Sequence, residues 1–124
     1  MEQLIAHLFG DYILQSDWMA LNKRNSWRIA GWHAWTYSLP FLFFKPSVPA
    51  YLAIFLSHWI IDRLGLARYV VWAKNWLGEK YKPWADCSAT GYDKERPAWL
   101  TVWLLIAADN TIHLLCNYLA LRFL

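Results

Sequence analysis

The chain has 124 residues, about the size of one domain, and 58% of them are hydrophobic, against about 45–50% in soluble domains. Charged residues make up only 17% and aromatic residues 19%, which excludes an intrinsically disordered chain. Two cysteines are too few for a disulfide-rich secreted scaffold, and a net charge of +3 gives no indication of nucleic-acid binding. The composition favours a membrane protein.

Hydropathy predicts an all-α membrane protein in which four helices cross the bilayer as a bundle, because each span needs about 20 mostly apolar residues. In chain order, the predicted spans cover residues 2–21, 27–44, 48–72 and 97–123. The first is the weakest candidate, since several polar side chains interrupt it. Polar residues join the first two helices, and a turn bracketed by prolines joins the second and third.

The connection between the third and fourth helices, residues 73–96, is long and rich in Lys, Trp and Tyr. Such a mixture is typical of an amphipathic segment that lies at the membrane interface, and a small soluble loop is the alternative. We expect residues 1–124 to form a single membrane domain.

The distribution of Lys and Arg predicts the orientation of this domain, because cytoplasmic loops carry an excess of positive charge. Three basic residues lie in or next to the first connection, Lys23, Arg24 and Arg28, and the second contains only Lys45. Six lie in or next to the third connection: Arg68, Lys74, Lys80, Lys82, Lys94 and Arg96. Both connections are therefore expected on the cytoplasmic side of a bacterial inner membrane.

The pattern that points to chemistry is a histidine and an aspartate four residues apart. The pairs are His7 with Asp11, His58 with Asp62, and Asp109 with His113. Residues four apart share one face of a helix. The order is reversed in the last helix, which runs opposite to the other two, so the predicted topology brings all three pairs to one depth. His33, with Tyr37 four residues on, is expected near them.

Ionisable groups inside a membrane are costly and usually mark a functional site. Imidazole and carboxylate together suit zinc or manganese, so we expect one or two divalent ions. The predicted ligands are His7, Asp11, His33, His58, Asp62, Asp109 and His113. Among them Asp11, Asp62 and Asp109 are the candidate catalytic residues, since an aspartate that binds no ion would act as the base.

Four further residues have smaller predicted roles. Gln15 would support the face of His7 and Asp11 or form a helix contact. Lys23 would contact a phosphate or act as a positive anchor. Asn110 and Asn117 are expected to hydrogen-bond to neighbouring helices.

The residues around the first pair carry a resemblance. Residues 7–20, followed by Lys23, contain an HLxxDxxLQ motif. This motif resembles the start of a small family of uncharacterised phage and bacterial membrane proteins. Later matches to the same pattern are His33, His58, Asp62, Asp109 and His113. Membrane helices that carry histidine and aspartate are also similar, more distantly, to inner-membrane proteins described as metal-dependent hydrolases.

These observations leave two functional interpretations. The first is a metal-dependent hydrolase of a lipid or lipid-linked phosphoester, which would use the ion to polarise the phosphoryl oxygen and activate water. The second is a non-enzymatic membrane protein that modulates a host membrane complex or conducts protons or metal ions, with the His/Asp cluster fixing helix packing. The expected partners are membrane lipid and a lipid-like substrate, together with further copies of the chain for an ion path, but not nucleic acid.

Overall fold

A computed structural model describes residues 1–78 and 82–124, and within these ranges the chain is helical, without strands. The all-α prediction is therefore confirmed. The α-helices are α1 (Glu2–Tyr12), α2 (Asp17–Asn22), α3 (Trp27–Ser38), α4 (Val48–Leu64), α5 (Leu66–Asn75), α6 (Trp84–Cys87) and α7 (Ala98–Phe123), and a 3-10 helix covers Leu39–Phe44.

The prediction of a four-span membrane bundle is wrong. Within residues 1–78 and 82–124, α7 is the only single helix that is long and apolar enough to cross a membrane. The number of candidate spans rises to two if α4 and α5, which are bent by 68° at the break between them, are counted as one span. The 11 residues of α1 reach only about 16 Å, against a hydrocarbon core of about 30 Å.

The other predicted spans fail because local backbone signals end the helices. The first breaks before α2, where the Ser16 hydroxyl accepts a hydrogen bond from the Met19 amide at 3.3 Å and so begins a new helix. The second is an α-helix only up to Ser38 and continues as a 3-10 helix that contains Pro40 in its first turn. The third breaks at Gly65, which has a left-handed φ of 59°.

The chain forms two compact units, Met1–Leu64 with His113–Leu124, and Gly65–Ile112. In the first unit, buried apolar side chains form a core that includes Tyr37, Phe41 and Ile54. Helices α1 and α3 approach closely at Gly10, where a Cβ atom would lie 2.6 Å from Tyr37 Cδ2 and 2.9 Å from its carbonyl oxygen. A side chain at position 10 would push the two helices apart.

The second unit is held by polar contacts between α5 and the residues that follow it. Arg68 donates to the Ser88 carbonyl at 3.1 Å, and the Trp72 indole donates to the Lys82 carbonyl at 3.0 Å. The predicted interfacial segment, residues 73–96, contains the end of α5 and the short helix α6. Its residues 79–81 lie outside the described residues, and its position at an interface stays a prediction.

Candidate metal centre

Four histidines and two aspartates converge in the first unit, and all six side chains are buried. They are His7 and Asp11 of α1, His33 of α3, His58 and Asp62 of α4, and His113 of α7. Spacing explains the convergence, because the paired residues of α1 and of α4 each share one helical face. Two of the three predicted pairs are therefore brought to one place.

Asp11 carries the first group of candidate ligands. Its Oδ1 atom lies 3.2 Å from His33 Nε2 and 3.4 Å from His58 Nε2. The two histidine Nε2 atoms are 2.9 Å apart. The three ligand atoms lie within 4.8 Å of one another, which is close enough to surround one ion.

Asp62 carries the second group, together with His58 and His113. Its Oδ2 atom lies 3.1 Å from His58 Nε2, and its Oδ1 atom lies 3.4 Å from His113 Nε2. Oδ2 is also 3.1 Å from His33 Nε2, so His33 contacts both aspartates. These buried imidazole and carboxylate groups could hold a metal ion, since both are ligand types that transition metals accept.

Hydrogen bonds that involve Tyr37, His7 and Asn117 lie next to the candidate ligands. The Tyr37 hydroxyl lies 2.9 Å from His7 Nδ1 and accepts a hydrogen bond from the Asn117 amide at 2.7 Å. His7 Nδ1 also lies 3.4 Å from Asp11 Oδ2. His7 therefore contacts a candidate ligand while standing outside both ligand groups, and the interhelical hydrogen bond predicted for Asn117 is confirmed.

Lys23 adds a cation to the centre. Its Nζ atom lies 2.8 Å from Asp62 Oδ2, although the two residues are 39 apart in the chain. The Lys23 side chain is 18% exposed, whereas that of Asp62 is 2% exposed. Sequence reasoning named Lys23 as a phosphate contact or an anchor but gave no signal for its pairing with Asp62.

The pKa values of His58 and Asp62 both lie below their ordinary values. Burial lowers the pKa of His58 from 6.5 to about 4, so this imidazole is neutral near pH 7. Burial alone would raise the pKa of Asp62, but the surrounding histidines His58, His113 and His33 hold it well below its usual value. An ionised carboxylate beside a neutral imidazole is the protonation state that a metal ion requires.

His33 and Asp11 titrate as partners. Burial would lower the pKa of His33, yet hydrogen bonds to Asp11 and Asp62 outweigh that effect and raise it. Burial would raise the pKa of Asp11, but the hydrogen bond from His33 and the field of His58 lower it. A proton on His33 therefore competes with a metal ion for this side of the centre.

Two predicted site residues, Asp109 and Gln15, do not belong to the ligand groups found in the described residues. Asp109 is half-buried and belongs to the second unit, and neither ligand group found in the described chain includes it. Gln15 follows the end of α1 and so does not extend the helical face of His7 and Asp11. The catalytic and metal-binding roles of Asp109 stay predictions.

Comparison with known proteins places the chain in a family but gives no activity. No curated protein and no solved structure matches it. A family described as "Protein of unknown function (DUF3307)" matches residues 1–116, and this range includes every ligand of both groups. The chain therefore belongs to this family of uncharacterised proteins.

Proposed function

We propose that the protein is a metal-dependent hydrolase that acts on a lipid or lipid-linked phosphoester. The observation that carries the proposal is the pair of buried ligand groups that meet at His58. Buried ionisable groups are expensive unless they are paired or coordinate a metal. The resemblance of histidine- and aspartate-bearing helices to inner-membrane hydrolases supports the same proposal. The family match itself names no reaction.

We favour a single zinc or manganese ion. His58 Nε2 faces both Asp11 and Asp62, and a ring nitrogen has only one lone pair with which to bind an ion. The two groups therefore describe one centre, in which His33 and His58 supply nitrogen, Asp62 supplies oxygen and Asp11 lies beside the ion. Mixed nitrogen and oxygen donors suit zinc or manganese better than calcium.

The proposed reaction uses the two aspartates differently. A bound divalent ion would supply Lewis acidity and an activated water. Asp62 is the more deeply buried carboxylate and would remain a ligand, while Asp11, with 8% exposure, lies closer to solvent. Asp11 would accept the proton of the attacking water, because a carboxylate within hydrogen-bond reach of that water acts as a general base.

The exposed surface of the first unit supports a lipid-linked substrate. Trp27, Trp32 and Trp35 of α3 are each about half exposed, and Arg28 lies among them in one open groove. Tryptophan and arginine together are typical of surfaces that contact lipid headgroups. We therefore propose that the enzyme acts at a bacterial inner membrane.

Metal analysis of the purified full-length chain is the first test. We expect about one equivalent of zinc or manganese in the wild type and its loss in His58→Ala. We also expect metal-dependent release of phosphate from a lipid phosphomonoester. Less than about one tenth of an equivalent, with no binding on reconstitution, contradicts the metal centre. A metal-loaded protein that hydrolyses neither lipid nor soluble phosphoesters contradicts the reaction.

A second candidate function is non-enzymatic, with the cluster fixing helix packing in a protein that modulates a membrane complex or conducts ions. The ion pair between Lys23 and Asp62 favours it, because that contact already neutralises one buried carboxylate. In this case Asp62→Asn would lower the free energy of unfolding, and neither the wild type nor the variant would catalyse hydrolysis. Equal phosphate release by the wild type and this variant would exclude the catalytic interpretation.

A further inference from the structure

Three nitrogen atoms lie within hydrogen-bond distance of Asp62 Oδ2. Lys23 Nζ lies 2.8 Å away, and His33 Nε2 and His58 Nε2 each lie 3.1 Å away. A carboxylate oxygen offers two lone pairs. When His33 and His58 bind an ion through Nε2, they no longer hydrogen-bond to this oxygen, and the ion and the ammonium remain as its two cationic neighbours.

Repulsion between these two cations decides which of them keeps the contact with Asp62 Oδ2. An ammonium and a divalent cation on one oxygen would lie only a few ångströms apart in a buried site, where like charges repel strongly. The imidazoles are fixed on helices α3 and α4, whereas the lysine chain is long and has four rotatable carbons. Lys23 is thus the neighbour that moves when an ion arrives.

The position of Lys23 determines where its ammonium can go. Lys23 is the C-terminal cap of the short helix α2, and its side chain is partly exposed while Asp62 is almost completely buried. An ammonium that leaves Asp62 therefore stays at the solvent side of the centre. At that position the ammonium would lie on the solvent-facing side of the ion and not on its buried side.

Net charge indicates what such an arrangement binds. With neutral histidines, the two carboxylates and a divalent ion cancel, and Lys23 leaves the loaded centre with one positive charge. A centre in which an ammonium and a metal ion lie side by side suits a phosphate-like oxyanion, because both cations can contact its oxygen atoms.

We propose that Lys23 is a resident cation on Asp62 that a divalent ion displaces, and that the displaced ammonium and the ion together form an oxyanion site. This inference rests on the proposed metal centre, and it assigns Lys23 the task of coupling ion binding to substrate binding. Loading of the metal opens the anion site in the same step.

Calorimetric titration of the full chain tests both halves of the inference. Metal-stripped protein is titrated with manganese, and the loaded protein is then titrated with inorganic phosphate. For Lys23→Gln we expect manganese to bind at least as tightly as in the wild type and phosphate to bind about tenfold more weakly. Lys23→Arg should keep most of the phosphate affinity, and Lys45→Gln serves as a control with the same change of charge.

Each half can fail separately. Weaker manganese binding by Lys23→Gln would show that Lys23 supports the metal site and would overturn the displacement. Unchanged phosphate affinity would overturn the oxyanion role. Lys23→Met keeps the aliphatic stem and replaces the Gln variant if that chain does not fold.

The same measurements also distinguish failure of the oxyanion site from failure of the proposed hydrolase reaction. A wild type that binds manganese and phosphate as described but hydrolyses no phosphoester contradicts the hydrolase and leaves the oxyanion site standing. A wild type that binds no ion overturns both proposals.

Discussion

The phenol ring of Tyr37 lies flat against the imidazole of His58, with ring centroids 3.5 Å apart and ring planes 15° apart. The hydroxyl of the same tyrosine meets His7 and Asn117. Tyr37 therefore restricts the orientation of the central histidine through its ring and joins α1 to α7 through its oxygen. Tyr37 binds no ion in our proposal, but it orients His58, which does.

We expect Tyr37→Phe to keep the ring contact and to lose both hydrogen bonds. Because the buried Asn117 amide would be left without this acceptor, the free energy of unfolding should fall by about 1–3 kcal/mol. Urea denaturation measures the change. Tyr118→Phe is the control, since Tyr118 is 50% exposed and should shift stability little. Equal stability of the two variants would contradict the role of the Tyr37 hydroxyl.

Gly10→Ala should separate α1 from α3. The new Cβ would overlap both the ring and the backbone of Tyr37, and overpacking of this kind costs about 1–3 kcal/mol. Thermal denaturation should show a lower midpoint, and displacement of Tyr37 should also weaken metal binding. Gly78→Ala is the matched control, because nothing lies within 4 Å of a Cβ at that position. A Gly10→Ala protein as stable as this control would argue against the close approach.

Asp62→Asn should weaken metal binding by at least about 100-fold, since it removes a charged ligand that faces His58 and His113. Asp109→Asn makes the same chemical change outside both ligand groups and should leave the affinity nearly unchanged. Competition with a chromogenic chelator measures both. A comparable loss in the two variants would place Asp109 in the centre, as the sequence analysis predicted.

The metal-free protein should lose stability as the pH falls from 6.5 to 4. His58 has a pKa of about 4 in the folded protein and 6.5 as its ordinary value, so the unfolded chain binds more protons in this window. The two values correspond to a loss of about 3 kcal/mol across it. The raised pKa of His33 acts in the opposite sense and only above pH 6.5, where the folded protein keeps the extra proton.

Urea denaturation in the presence of a chelator, repeated across this pH range, measures the slope. His58→Gln should flatten it whatever the variant does to overall stability. A slope that persists in this variant would assign the titration to another group.

The candidate site was more accessible to sequence reasoning than the fold. The spacing of His7 with Asp11 and of His58 with Asp62 fixes a shared helical face wherever a helix forms, and this requirement survived the wrong membrane topology. His33 was found by its residue type and position. Asn117 follows His113 by four residues, so the same spacing rule identifies its face.

The errors arose where backbone conformation decides and hydropathy does not. Gly65 is one residue in an apolar run, yet its left-handed backbone ends α4, and the Ser16 cap similarly separates α1 from α2. The contact between Lys23 and Asp62 joins residues 39 apart, a relationship with no local pattern. The prediction for Asp109 used helix depths counted within the four-span arrangement, and the role of this residue stays a prediction.

The order of the ligands along the chain has a consequence for biosynthesis. Asp11, His33 and His58 form one group that is complete once residue 58 has been made, whereas the other group waits for His113. A ribosome therefore releases the first group well before the second. Because the proposed ion is bound by residues up to Asp62, ion capture by a growing chain would not wait for the last helix, and the contact between His113 and Asp62 would be added last.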